Sequence, residues 1–381
     1  MLLALPRLAP LSLAAALCFS GGLPGQEVLH YRFDGGCGAE IQNLGTAQGS
    51  GLLDSDLPGV PAAGRVAGRF GRGLAAGQGA LRNQVLTGWD PGNYTGSFTL
   101  AFHASLVGTP AQVVGVPVPF GHICGANGLR LRCSLGGGGA FRLDWGHFGA
   151  PDHVVMAQDI SNRMRSGWVH VAFVVNALDN TASVYVDGVL DHVQALAAAP
   201  GWFGSPFVEG NLTSVGHTPS PVALDEFLLA TRPMDSGEVL ELANSPLAAT
   251  TTFGSGCGAT LRVKSGRPAL GETVVLEIAD PSGDGWLLYG GTSRCRLPLG
   301  PPLPFDLGSI DPRFGGCEGL VSLDLAIPDG SGGFVAGLAT VSVQVPVSPQ
   351  LSGLLTHWQA VVGRTTGALR TTNGVTASLG H

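Results

Sequence analysis

Residues Gly167 to Leu190, GWVHVAFVVNALDNTASVYVDGVL, constrain the fold more than any other segment of this chain. Trp168 to Val175 reads as a strand, Asp179-Asn180 as a turn, and Thr181 to Val186 as the returning strand. Asp187-Gly188 then supplies the left-handed residue pair that a two-residue hairpin requires, and Val189-Leu190 begins a third strand. Three strands joined this closely form a β-meander. The same signals recur along the chain: Val28 to Phe33, Ser97 to Ala104, Leu129 to Leu135, Ala140 to Trp145 and Ala223 to Ala230 all read as strands. Sixty glycines and 26 prolines punctuate them, which suits short strands and tight turns and breaks long helices. One helix is expected, capped by Asp235 with Glu238 three residues on, carrying Val239, Leu240 and Leu242, and closed at Asn244-Ser245-Pro246.

Length suggests two domains, since one domain takes roughly 150 residues. Residues 246–256 read as a linker. Beyond them, strand-like runs recur at Ala259 to Lys264, Thr273 to Ala279, Gly285 to Tyr289, Leu320 to Ile327, Phe334 to Val345, Leu354 to Val362 and Val375 to Leu379. Seven short strands at this spacing suggest a small β-sandwich over residues 257–381. The hydrophobic fraction of 44% is enough for two cores. The net charge is −7 and Lys264 is the single lysine, so the chain lacks the positive footprint that nucleic-acid binding requires.

The first 22 residues have the shape of a cleavable signal peptide: one basic residue, Arg7, an apolar run from Leu11 to Phe19, then Ser20, Gly21 and Gly22. Leu17 directly before Cys18 argues against a lipid-modified cysteine. No later segment has 18 consecutive apolar residues, so no transmembrane segment is expected. The expected location is therefore secreted or cell-surface. Six cysteines remain beyond the leader, an even number that in an exported protein implies disulfides. None has the C-x-x-C spacing of a zinc site. Fifteen pairings are possible. Cys124 with Cys133 is favoured by a turn at Asn127-Gly128, Cys257 with Cys317 comes second, and Cys37 and Cys295 would then pair across domains or stay free.

Five segments in order identify the first domain by resemblance. LHYRFDGGCGAEIQNLG, GRFGRGL, SFTLAFHASL, the Gly167 to Leu190 meander and LDEFLLATRPMDSGEVLEL resemble successive parts of LamG-like domains of the concanavalin A-like lectin/glucanase group, with His103 where a Trp is usual. The resemblance covers residues 27–245 and implies an all-β fold: a concanavalin-like jelly-roll sandwich followed by the smaller C-terminal β-sandwich. The last third is similar to a small sandwich domain at the C-terminus of many exported proteins of environmental bacteria, through FGSGCGATLRV, GGCEGLVSLDL and the final LTHWQAVVGRTTGALRTTNGVTASLG. The two Gly-Cys positions recurring in that group support the Cys257–Cys317 pairing, while Cys295 is a departure from it.

In LamG-like folds the first and last strands are neighbours, so Asp34 and Asp225 can approach each other. With loop carbonyls they would suit a structural Ca²⁺; alternatively both accept backbone hydrogen bonds at strand ends. Glu226 faces away from Asp225 in the strand alternation, so both can serve one site only across a bulge. No catalytic residues are assigned: the carboxylate pair of a glycosidase and the Gly-x-Ser-x-Gly elbow of a hydrolase are both missing. His170 is read as a packed, hydrogen-bonded core residue. Loop aromatics Trp89, Tyr94, Trp145 and Trp202 could stack on sugar faces, or else pack against the core. The expected role is an exported binding or adhesion module for a glycan or an extracellular matrix ligand. The alternatives are a purely structural surface protein and a carbohydrate-active enzyme lacking the usual carboxylates.

Overall fold

The computed structural model describes residues 27–34, 40–46, 51–55, 65–75, 83–87, 93–106, 121–125, 131–136, 139–147, 150–197, 201–203, 214–215, 222–297, 301–328 and 333–380. The expected leader, Cys37 and Trp89 lie outside these residues. The N-terminal unit is two antiparallel sheets. One runs in the order Val189–Ala195, Thr181–Val186, Val169–Asn176, Phe98–Leu106, Val222–Ala230, Arg72–Ala75, Arg65–Ala67, with Glu27–Tyr31 also paired to Val222–Ala230. The other runs Ala150–Val155, Phe141–His147, Leu131–Leu135, Gly121–Gly125, Ser214–Val215, Asn83–Leu86, Gly51–Ser55, Glu40–Ile41. First and last strands are thus neighbours, although 191 residues separate Tyr31 from Val222 in the chain.

The core lies between these sheets. Leu100, Phe102, Val171, Phe173 and Val175 from one face meet Leu131, Leu135, Phe141, Leu143 and Trp145 from the other. Phe102 meets Phe141 edge-on at 5.3 Å, and Phe98 meets Trp145 at 6.0 Å, the T-shaped geometry that aromatic quadrupoles favour. The meander forms as its residues dictate. Asp187 and Gly188 adopt φ of 48° and 77°, as a two-residue hairpin demands.

The strand at residues 98–106 is more buried than its alternation suggests. Its polar positions, Thr99 and His103, face inward beneath the helix Ser236–Asn244. Ala101, Ala172, Val174 and Leu228 form a second cluster with Val239 and Leu242 of that helix. Thr99 survives burial because its hydroxyl donates to Arg232 O (2.8 Å) and accepts from Met234 N (3.0 Å). The helix begins with the expected capping box: Asp235 accepts from Glu238 N, and Glu238 accepts from Asp235 N, both at 2.9 Å. A second short helix, Ser161–Ser166, has no cap box and escaped notice in the sequence.

The C-terminal unit is also a sandwich. A 6-stranded sheet has the order Ala249–Phe253, Gly374–Ser378, Leu355–Arg364, Gly283–Gly291, Leu325–Pro328, with Leu369–Thr371 joined to Leu355–Arg364. It faces a 3-stranded sheet of Thr260–Ser265, Thr273–Ala279 and Leu338–Gln344. Residues 249–253, read as linker, are instead an edge strand paired along its length with residues 374–378. Its three consecutive threonines are β-branched and suited to a half-buried pleat, a signal that the Gly and Ser around it obscured. Cys257 and Cys317 are bonded to each other, and Cys295 is disulfide-bonded too.

Candidate functional site

Two places in the N-terminal unit hold four of the residues that the sequence singled out, Asp34 and Asp225 in one and Tyr94 and Trp202 in the other. The first is a buried charge cluster where the first and last strands meet. His30, Arg32 and Asp34 fall on one side of the leading strand by its period of two. Opposite them, the pairing of Val222–Ala230 with Phe98–Leu106 slips between Asp225 and Leu228, and Glu226 takes a positive φ of 47°. This bulge lets both Asp225 and Glu226 turn inward, against simple alternation. Glu226 accepts from Arg32 Nε at 2.6 Å and lies 3.2 Å from His30 Nε2. Arg32, only 1% exposed, also pairs with Asp34 at 3.0 Å.

Asp34 and Asp225 do converge, on the turn between Arg65–Ala67 and Arg72–Ala75. Asp225 accepts from Phe70 N at 2.9 Å and from Glu226 N at 2.9 Å. Asp34 accepts from Arg72 N. This explains the glycines of GRFGRGL. A Cβ on Gly68 would lie 2.5 Å from a carboxylate oxygen of Asp225, and one on Gly71 would collide with the Asp34 carboxylate. Gly71 is also held at φ +86°, where L-residues are strained. Gly71→Ala should therefore lower stability by about 1–3 kcal/mol in denaturant titration; an unchanged midpoint would show that the turn is not fixed by these carboxylates. The oxygens face backbone amides and a guanidinium, which fits hydrogen-bond acceptors better than the all-oxygen cage of Ca²⁺.

Burial governs the ionisation of this cluster. It pushes Asp34 up to about 7 despite the opposing Arg32. Burial, reinforced by Glu226, holds Asp225 well above the carboxylate range. Burial would raise Glu226 as well, but Arg32 and His30 outweigh it and hold it low. His103 is pushed down to about 4 by burial, and His170 is lowered by burial and by His103, whose ring lies 4.8 Å away. His170 is fully packed, and its backbone N donates to Asp187 at 2.7 Å. Because the folded state binds the Asp34 proton up to about pH 7 and the unfolded chain only below about 4, Asp34 adds stability as pH falls across that window. His103 does the opposite, losing stability as pH falls from 6.5 toward 4. Asp34→Asn removes the first contribution, so its melting temperature should fall more steeply than the wild type's between pH 7 and pH 4. Parallel curves would refute this account.

The second place is a two-stranded ribbon outside both large sheets. Asn93–Thr95 pairs with Gly201–Phe203, and the register sets Trp202 directly opposite Tyr94. Trp145 belongs elsewhere. It was expected among ligand-facing aromatics but is wholly buried, because its position in Phe141–His147 points into the inter-sheet core against Phe98. Cys133 sits directly across from Cys124 in the pairing of Leu131–Leu135 with Gly121–Gly125. Sequence reasoning missed Arg32 and Glu226 as partners; the buried bulge that joins them leaves no local signature.

Residues 84–240 match the family model of the concanavalin A-like lectin/glucanases superfamily, of laminin G type, a span shorter than half of the chain. No curated protein matches the sequence. Among solved structures, the binding domain of a paraclostridial mosquitocidal protein is similar at 14% identity and a TM-score of 0.39, covering 67% of this chain and 64% of that one, so this chain spans under two-thirds of its length. The binding domain of botulinum neurotoxin DC, solved with rat synaptotagmin II, is similar at 10% identity and 0.40, covering 92% and 94%. That of botulinum neurotoxin serotype G is similar at 8% and 0.41, covering 92% of each. Likenesses this distant carry no function across. The paired eight-stranded sheets and the neighbouring end strands give the N-terminal sandwich a concanavalin-like jelly-roll fold, and residues 84–240 within it are what match the concanavalin A-like lectin/glucanases superfamily.

Proposed function

We propose that this chain is an exported, non-catalytic binding module that engages a glycan or an extracellular matrix ligand through the ribbon bearing Tyr94 and Trp202. The observation that carries the reading is the register of that ribbon, which sets two aromatic residues opposite each other on an element outside the two core sheets. Paired aromatic positions suit the apolar face of a sugar ring, which stacks on π-systems. The carboxylates of the charge cluster support a binding role over hydrolysis: they are buried and engaged by Arg32, His30 and backbone amides. A general acid and base must reach a bond in bound substrate. Export is supported by the leader-like first 22 residues and by the disulfide between Cys257 and Cys317. Among the described residues, no helix is long and apolar enough to cross a membrane.

The test is a glycan and matrix-protein array with the purified chain, run with calcium and with chelator. Binding should appear and should fall at least tenfold in Trp202→Ala, with the melting temperature held within a few degrees. Calcium dependence would assign the ion a role in this site. No binding under either condition would leave the structural reading, and turnover of a polysaccharide would overturn the non-catalytic one.

A further inference from the structure

The C-terminal sandwich contains a cleft that its core does not fill. Its 3-stranded sheet stands over the larger sheet, and between them opens a space of about 280 Å³. Leu276 and Val343 line it from one sheet, Trp358 and Ala377 from the other. Sandwich interiors are close-packed, with few voids larger than a water molecule. A space this large among aliphatic and aromatic side chains is of the size and character of a small-ligand site.

The chemistry of the lining selects the occupant. Among the described residues, no charged side chain lines it. Two of its polar side chains are already engaged within the protein. The Gln344 amide donates to Gly271 O at 2.8 Å and accepts from Thr273 Oγ1 at 2.7 Å. Thr356 Oγ1 accepts from Trp358 Nε1 at 3.1 Å and donates to Ala377 O at 3.4 Å. Water needs two to four polar partners to settle in such a place, so it is a poor occupant. An ionised ligand would find no counter-charge inside. A slender, uncharged aliphatic chain meets both conditions. Its polar end would stay at the mouth, where Leu325 and Leu354 are exposed and continue the apolar lining to the surface.

We propose that the C-terminal sandwich is a binding site for a single aliphatic chain, that of a free fatty acid, inserted tail-first between its two sheets. The site is independent of the ribbon on the N-terminal unit, so either can fail without the other.

The experiment titrates the full-length, disulfide-intact protein with a fluorescent polyene fatty acid and displaces it with laurate. Saturation at one probe per chain and full displacement by laurate are expected. Ala377→Phe and, separately, Val343→Phe should weaken probe binding at least tenfold, with unchanged circular dichroism. If both variants fail to fold, a photoreactive fatty acid on the wild type replaces them, and the labelled peptide must contain Trp358 or Leu276. Lack of saturable probe binding would overturn the proposal, as would binding unaffected by the filling variants or photolabelling elsewhere. Sedimentation with phosphatidylcholine vesicles and titration with an apolar β-strand peptide complete the test. If the protein binds only the vesicles or only the peptide, and not the free acid, the occupant is a membrane or a protein strand and the proposal fails.

Discussion

Arg32→Met should lower the stability of the chain by about 3–5 kcal/mol, because it leaves buried carboxylates without their cation. Arg32 serves both sandwiches at once. Within the first it holds Glu226 at 2.6 Å and Asp34 at 3.0 Å. Towards the second, its Nη1 donates to Ser378 Oγ at 2.6 Å and its Nη2 to Gly353 O at 2.5 Å. Ser245 and Ser352 hydrogen-bond alongside at 3.1 Å, and Ser378 Oγ also donates to Leu247 O at 3.3 Å. Total folding stability is commonly 5–15 kcal/mol, so a loss of this size is a large part of it. Denaturant titration followed by tryptophan fluorescence and by far-ultraviolet circular dichroism reads the effect. Adding Glu226→Gln to Arg32→Met should recover part of the loss, since the stranded charge is then removed. A loss under about 1 kcal/mol, with no recovery in the pair, would mean that water reaches this cluster and that the network is incidental.

Removing the disulfide by Cys257→Ser with Cys317→Ser should cost the C-terminal sandwich about 4 kcal/mol. The bond closes a loop with a sequence separation of 60, and loop-closure entropy at that length gives a value of this order. It ties the start of the 3-stranded sheet to the loop region ahead of Leu325–Pro328. The position is well anchored: Cys257 N donates to Thr371 O at 2.9 Å. The effect should appear in calorimetry as a separate, lower-temperature transition, because the core of the N-terminal unit does not depend on this bond. A single unshifted transition would show that the reduced chain keeps its structure by packing alone.

Much of the fold was legible because its signals are local. The strand read at Trp168 to Val175, the Asp187-Gly188 turn and the Asp235 capping box each depend on neighbours within a few residues; the strand formed one residue along, at Val169–Asn176, and the turn and capping box formed as read. The strand at Thr273–Ala279 also has the expected bounds. The linker reading failed at residues 249–253 because a strand on the edge of a sheet needs only a partner, here residues 374–378, more than a hundred residues away. Trp145 could be placed on a strand from its neighbours, but which face met the core depended on the opposite sheet.

The sequence by itself determined an all-β chain and a meander with fixed turns, while the pairing of Cys257 with Cys317 was its second choice among the cysteines, supported by resemblance. Hydrophobic period and turn chemistry act over a few residues and survive in any context. Only the tertiary structure decided what the charged residues do. A bulge at Asp225–Glu226 turned two adjacent carboxylates to the same interior, and burial then gave them different ionisation beside Arg32. That outcome rests on contacts between residues nearly two hundred apart and on exclusion of water, neither of which a local pattern encodes.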